Sequence, residues 1–228
     1  MEFPIRLNKF LAEQTGISRR EADELIEKGR IIVNGTPAIL GTRINQSDQV
    51  KKDGKIVPVS PKKFTYIALN KPAGYVCSRK QQGDTPTIYS LLPEEYRTLK
   101  PVGRLDKDSS GLLLLTDDGD FAHRMTHPKF RKLKVYEVEI DKELEPLHQQ
   151  MISDYGIQLD DGRSQLQLER LSDDNRKAWR VTMSEGRNRQ IRRTFAALGY
   201  TVTRLHRVQF GDYLLTTLET GTYEPTRA

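Results

Sequence analysis

The spacing of apolar residues along this chain changes several times, and each spacing predicts an element. Leu7, Phe10 and Leu11 recur at helical intervals, and so do Ala22, Leu25 and Ile26. Ser18 and Glu21 stand three apart at the head of the second run, as a capping box requires, and Gly29 follows as its stop. The pattern then turns to strands. Ile31–Val33 runs into Asn34-Gly35, and Val50 and Ile56-Val57 flank Asp53-Gly54, both dipeptides being signals for tight hairpins. Residues 1–58 therefore read as helix, helix and small sheet. Pro58 to Lys63 is polar with two prolines, so 59–63 reads as a linker.

A larger, strand-rich unit is expected over 64–228. Phe64–Leu69 begins it, Asn70-Lys71-Pro72-Ala73-Gly74 turns, and Tyr75–Ser78 reads as a second strand. A short helical stretch is expected near Ile88–Leu92. Four leucines and a threonine, Leu112–Thr116, read as a strand buried on both faces. The polar, glycine-bounded loop before it carries Asp106 and Asp108. A short helix is expected over Asp120–Met125, and Leu133–Ile140 alternates with Tyr136, Val138 and Ile140 on one face. Glu143–Tyr155 reads as a helix, followed by strands near 157–159, 166–171 and 179–183. Ile191, Phe195 and Leu198 mark a helix that Gly199 ends, and Thr201–Phe210, with Arg204, His206 and Arg207, reads as a basic strand.

Charge and cysteine usage narrow the class. Of 228 residues, 37 are Lys or Arg and 31 Asp or Glu, a net charge of +6 that favours a polyanionic partner. The first 60 residues hold ten of the basic and eight of the acidic side chains, so binding there depends on where the cations point. The lone cysteine, Cys77, excludes an internal disulfide framework and reads as a packed thiol. With no long apolar run and no apolar segment at the start, a soluble cytoplasmic protein without membrane association is expected.

Three stretches carry candidate chemistry. A carboxylate at the mouth of a core strand, as at Asp106, is held by a rigid backbone yet exposed to a substrate. Four arginines in the seven positions Arg187–Arg193, with no acid among them, need a phosphate backbone or a distant carboxylate. His123 and His127 are four apart, a spacing that can hold a metal, but without a third ligand they read as helix-surface histidines.

GRLDKDSSGLLLLTDDGD resembles the central motif of pseudouridine synthases, in the branch that modifies ribosomal RNA and carries an S4 domain. LNKPAGYVCS, KVYEVEID and EGRNRQIRR resemble further motifs of that family, and RLNKFLAEQTGISRREADELIEKGRIIVNG resembles the S4 RNA-binding domain. The resemblance implies an α+β fold: a small N-terminal S4 domain of the α-L type and a catalytic domain on a central mixed, mostly antiparallel sheet. It assigns Asp106 as the catalytic carboxylate, Tyr136 against the substrate base, and Arg192 as the partner of Asp106, with Arg189 or Arg193 as alternatives in another register. It gives Arg6, Lys9, Arg19, Arg20, Lys71, Arg104, Arg187, Arg189 and Arg193 to the RNA. The implied reaction, uridine to pseudouridine, calls for no metal and no organic cofactor. A monomer acting on ribosomal RNA or a ribosomal precursor particle, in ribosome biogenesis, is the expectation. Two rivals remain: an S4-type RNA-binding or assembly protein without catalysis, and a metal nuclease using Asp106, Asp108 and Asp117. The strand Leu112–Leu115 separates those acids and argues against the second.

Overall fold

The computed structural model describes residues 3–60, 63–80 and 83–228; residues 61 and 62 of the expected linker lie outside the described residues. Two compact units divide the chain at residues 63 and 64.

The first unit holds β1 (Ile5–Arg6), α1 (Leu7–Thr15), α2 (Arg19–Glu27), β2 (Ile31–Val33), β3 (Thr36–Pro37), β4 (Arg43–Ile44), β5 (Val50–Lys52) and β6 (Lys55–Ile56). Ser18 caps α2 by accepting the Glu21 N–H at 3.1 Å. The helix ends on Gly29, φ +66°, with Gly29 N–H bonded to Ile26 and Arg30 N–H to Leu25, which satisfies carbonyls the helix leaves open. Asn34-Gly35 and Asp53-Gly54 all have positive φ and close β2–β3 and β5–β6. Leu7, Phe10, Leu11, Ala22, Leu25 and Ile26 pack with Ile31 and Val50 into a core of the unit's own.

The second unit comprises β7 (Tyr66–Lys71), β8 (Lys100–Pro101), β9 (Ser110–Thr116), α3 (Gly119–Thr126), β10 (Lys134–Ile140), α4 (Pro146–Gln150), β11 (Ile157–Leu159), β12 (Gly162–Ser164), β13 (Gln167–Arg170), β14 (Ala178–Met183), α5 (Gln190–Ala196), β15 (Val202–Phe210), β16 (Tyr213–Leu214) and β17 (Tyr223–Pro225). Its main sheet runs β13-β14-β10-β15-β9-β7-β17, with β16 beside β15 and β8 beside β9. The β15–β9 pair is parallel, whereas its other neighbours are antiparallel. Burial of β9 on both faces follows from strand periodicity: Leu113 and Leu115 enter one core and Leu112 and Leu114 the other.

Three expectations change. Tyr75–Ser78 forms an isolated Val76–Thr87 bridge instead of a strand, because its backbone meets only the irregular segment Pro86–Ile88, through the Val76 N–H to Pro86 and the Ile88 N–H to Val76. The Glu143–Tyr155 helix starts at Pro146, whose ring suits the first helical turn, and continues as a π-helical turn over Met151–Tyr155. The helical stretch near Ile88–Leu92 is a single 3₁₀ turn, Ile88–Leu91.

The parallel junction depends on a glycine. Gly111 pairs with Arg207 at φ +104°, and a Cβ there would lie 2.2 Å from the Arg207 carbonyl oxygen. Gly111→Ala is expected to lower stability by about 3 kcal/mol or more, through overpacking against backbone that cannot yield and a strained φ. Urea unfolding measures it, and a wild-type midpoint would show that β9 and β15 do not need this approach.

Candidate active site

Asp106 sits in the loop between β8 and β9, and the end of β7 with the segment after it clamps that loop. Lys71 Nζ donates to the carbonyls of Asp106 at 3.1 Å, Ser109 at 2.6 Å and Pro72 at 3.0 Å. Gly74 N–H reaches the Lys107 carbonyl at 2.7 Å and the Cys77 thiol the Leu105 carbonyl at 3.3 Å. Ser109 N–H bonds back to the Asp106 carbonyl at 3.1 Å, closing the turn. With its backbone held from several sides, the loop offers the Asp106 carboxylate outward, its side chain 35% exposed.

Lys71, expected among the RNA-facing cations, therefore needs correction. It is fully buried, and its ammonium is spent on three carbonyl oxygens. Burial also pushes its pKa below the usual lysine value. Cys77 is a packed thiol whose pKa burial raises, the opposite of what activates a nucleophile.

The arginines of the stretch before and within α5 have distant carboxylates as partners. Arg189 makes a two-pronged pair with Asp108, 2.9 Å on each arm, and its Nη1 lies 3.7 Å from Asp106 Oδ2. Arg192 Nε stands 3.2 Å from Asp108, while its Nη groups donate to the carbonyls of Val202 and Asp108. The expected Asp106–Arg192 pairing is thus replaced: Arg189 approaches Asp106, and Arg192 braces Asp108. The register differs because Arg189, at φ +46°, precedes the helix and swings toward the loop. Hydrogen bonding from Arg189, helped by the Arg192 charge, holds the Asp108 carboxyl below the usual range. Arg187 and Arg193 share Asp161, at 2.8 Å and 2.6 Å.

A cleft of about 350 Å³ opens beside Asp106. Arg104, Tyr136, Arg187 and Arg189 line it with Asp106; Arg192, Arg193 and Lys71 do not. Tyr136 reaches the wall from β10, opposite Arg207 on β15, at a bulge where Val135 pairs with Gln209 and Tyr136 with Arg207. Bulges re-aim side chains in this way next to active sites. Two further cations stand on the wall, Lys134 and Arg207, neither of them among the site residues expected from the sequence, which placed Arg207 only in a basic strand. Arg207 is buried, donates from Nε to the Leu112 carbonyl at 2.8 Å and stacks 4.8 Å from the centre of the Phe210 ring. Lys134 lies 5.5 Å from the same ring, its pKa lowered by burial and then by Arg207. Strand parity held a signal for both, since Lys134 shares a face with Tyr136 and Arg207 with Leu205. Asp106 and Glu185 are the carboxylates on the wall, and Glu185 is engaged by Gln190 and Arg187.

In the first unit Arg6, Arg19 and Arg20 are exposed and Lys9 is half-buried near Glu13. Asn8 bonds Asp23 at 2.9 Å and accepts from Arg19 at 3.1 Å, tying together the helix starts that carry these cations. Arg30 is committed to Asp53 at 2.6 Å. Asp117, at the far end of β9, accepts the Thr65 N–H, so it does not converge with Asp106 and Asp108. Among the described residues no group of three or more His, Cys, Asp or Glu side chains could hold a metal ion, and no helix is long and apolar enough to cross a membrane.

Comparison with known proteins adds a family to this geometry. The family model for RNA pseudouridylate synthase matches residues 65–197, and the model for the S4 domain matches residues 5–50. The chain is 40% identical to ribosomal small subunit pseudouridine synthase A of Pasteurella multocida, over 91% of this chain and 89% of that protein. It is 35% identical to ribosomal large subunit pseudouridine synthase B of Bacillus subtilis, over 95% and 89% respectively. A solved structure described as a pseudouridylate synthase superposes with a TM-score of 0.69, at 36% identity, over 98% of this chain and 96% of that one.

Lys71→Met should remove three charge-assisted hydrogen bonds, two of them to the Asp106 loop, and cost about 3 kcal/mol or more, since buried carbonyls lose their donor. Urea unfolding of the variant is the measurement. A midpoint equal to wild type would mean that the loop holds itself.

Proposed function

The chain belongs to the RNA pseudouridylate synthase family and carries an S4 domain as well, and from that premise we propose that it isomerises uridines of ribosomal RNA to pseudouridine. As an RNA pseudouridine synthase it breaks the N1–C1′ bond and forms C5–C1′; C5 gives up a proton and N1 takes one, so the composition of the nucleotide is unchanged. The relatives' names cover both ribosomal subunits, which supports ribosomal RNA, free or in a precursor particle, as the substrate class. The protein acts as a monomer in the cytoplasm, in ribosome biogenesis.

The observation that carries the reading is the Asp106 carboxylate, presented at the wall of the cleft from a loop clamped by Lys71. Attack on C1′ and proton removal toward a glycal both start from a carboxylate, and the guanidinium of Arg189 stands 3.7 Å away as its counter-charge. The uridine leaves its stack and enters the cleft, where the Tyr136 ring supports the base and the hydroxyl offers a hydrogen bond. Arg104, Arg187 and Arg189 give the cleft a positive lining for the flanking phosphates. In the first unit the exposed Arg6, Arg19 and Arg20, with Lys9, supply contacts to RNA away from the chemistry.

Asp106→Asn keeps the shape of the side chain and removes its charge and basicity. Pseudouridine formation, followed by chemical mapping, should fall to undetectable levels while affinity in filter binding stays near wild type. Turnover near wild type would take Asp106 out of the reaction, and equal loss of binding and turnover would make it structural. Deleting residues 1–63 should weaken RNA binding and reduce the slope of log affinity against log salt by about 0.7 to 0.9 for each phosphate that the first unit had neutralised. An unchanged slope would show that the first unit does not touch this RNA.

A further inference from the structure

The end of α3 and the turn after it are not used by the chemistry above. From His123 to Lys132 the sequence is HRMTHPKFRK, with Arg124, Lys129, Arg131 and Lys132 and no acid. Three rings cluster there: His123 and His127 at 4.7 Å between centroids, with Phe130 edge-on at 5.9 Å from the first and 6.3 Å from the second. Phe130 is 39% exposed, and Lys129 Nζ lies 4.6 Å from its ring centre.

Each alternative use of these groups fails on the geometry. The rings are not core, since both histidines and Phe130 are exposed. The histidines do not form a metal site: His127 Nδ1 accepts the Lys129 N–H at 3.2 Å and thereby caps the turn Pro128–Phe130. An apolar protein partner does not match a ring surrounded by cations. Among the described residues Lys129 and Arg131 have no carboxylate within ion-pair distance, and Lys132 meets Asp212 at 3.2 Å in an exposed pair. Arg131 has φ +45°, an uncommon conformation for a side chain of its size, and it fixes the direction of the chain just after Phe130. The segment is also part of the cleft wall, to which it contributes Thr126 and Pro128.

We propose that this segment is a stacking platform for the unpaired nucleotide next to the uridine held in the cleft. Phe130 receives the base, and Lys129 and Arg131 receive the adjoining phosphates. Aromatic rings interleaved with unpaired cations are how single-stranded nucleic acid is held without reading its sequence, because every base has a face to stack and every linkage a charge. A base pushed out into the cleft leaves its neighbour without a stacking partner on one side, and the exposed Phe130 ring, two residues beyond Pro128 of the cleft wall, replaces it. The platform rests on the isomerase reading for what fills the cleft, but it is read by binding alone.

The test uses the full chain and a single-stranded RNA decamer with one central uridine and 2-aminopurine beside it, titrated by fluorescence. Phe130→Ala should weaken binding about tenfold, the size expected when one base no longer stacks. Phe130→Trp should restore it, and the salt dependence should stay that of wild type. Lys129→Met and Arg131→Met should instead flatten the salt dependence, each by about 0.7 in slope. With an abasic site in place of 2-aminopurine, followed by filter binding, the difference between Phe130→Ala and wild type should vanish. The platform is overturned if Phe130→Ala binds the decamer as wild type does, if its loss persists with the abasic RNA, or if the wild-type chain does not bind the decamer. A failure of the isomerase reading looks different: ribosomal RNA treated with the wild-type chain would contain no new pseudouridine, whatever the decamer does.

Discussion

The catalytic unit hangs on the close approach of two backbones at Gly111 and Arg207. On one side of that junction lie β9, β7 and β17, and on the other β15, β10, β14 and β13. The junction has only two residue pairs in register, Ser110 with His206 and Gly111 with Arg207, yet it decides which loops face each other. Asp106 enters β9 from one side and Tyr136 comes from β10 on the other. Arg207 fastens the joint twice, through its own backbone and through a guanidinium that donates to the carbonyl of Leu112. A side chain at position 111 would push apart the halves that supply the carboxylate and the ring.

Cations around this joint donate to carbonyl oxygens more than to acids. Lys71 takes three, Arg207 takes that of Leu112, and Arg192 takes those of Val202 and Asp108. Carbonyls fix position without cancelling charge, so the region stays positive while its geometry stays rigid. The acids are also sorted. Asp108 absorbs the tight two-pronged contact with Arg189 at 2.9 Å, and Asp106 keeps the same guanidinium at 3.7 Å. On the proposed mechanism that division leaves Asp106 beside a cation yet not locked in a close pair.

Local signals in the sequence were readable wherever a short-range rule decides the structure. Ser18 as the cap of α2, Asn34-Gly35, Asp53-Gly54 and the leucines of β9 each act within a few residues, and each forms as its pattern says. The candidate carboxylate was legible for a related reason, since a polar loop feeding an apolar strand is itself a local pattern. What stayed hidden depends on long-range closure. A charged side chain reads as exposed, so Lys71, at the end of a strand, gave no sign that residues 106 and 109 would return to cover it. Which arginine faces which aspartate is settled by the left-handed backbone at Arg189, and no spacing rule encodes that turn. Tyr75–Ser78 has the composition of a strand but finds a loop where a neighbouring strand was needed.

Four carboxylates serving four guanidiniums have a consequence for how this protein answers to ionic strength. Asp161 sits between Arg187 and Arg193, Asp108 between Arg189 and Arg192, Glu185 beside Arg187 and Asp106 beside Arg189, so the four cations of the cluster are balanced by four anions. A phosphate arriving at any of these arginines displaces an acid that stays nearby and remains charged. The cluster therefore adds far less to the steepness of a log–log salt plot for single strands than the value of about 2.8 that a count of its four arginines gives. Grip on RNA is softened at the spot nearest the chemistry, which suits a surface that has to let its product go.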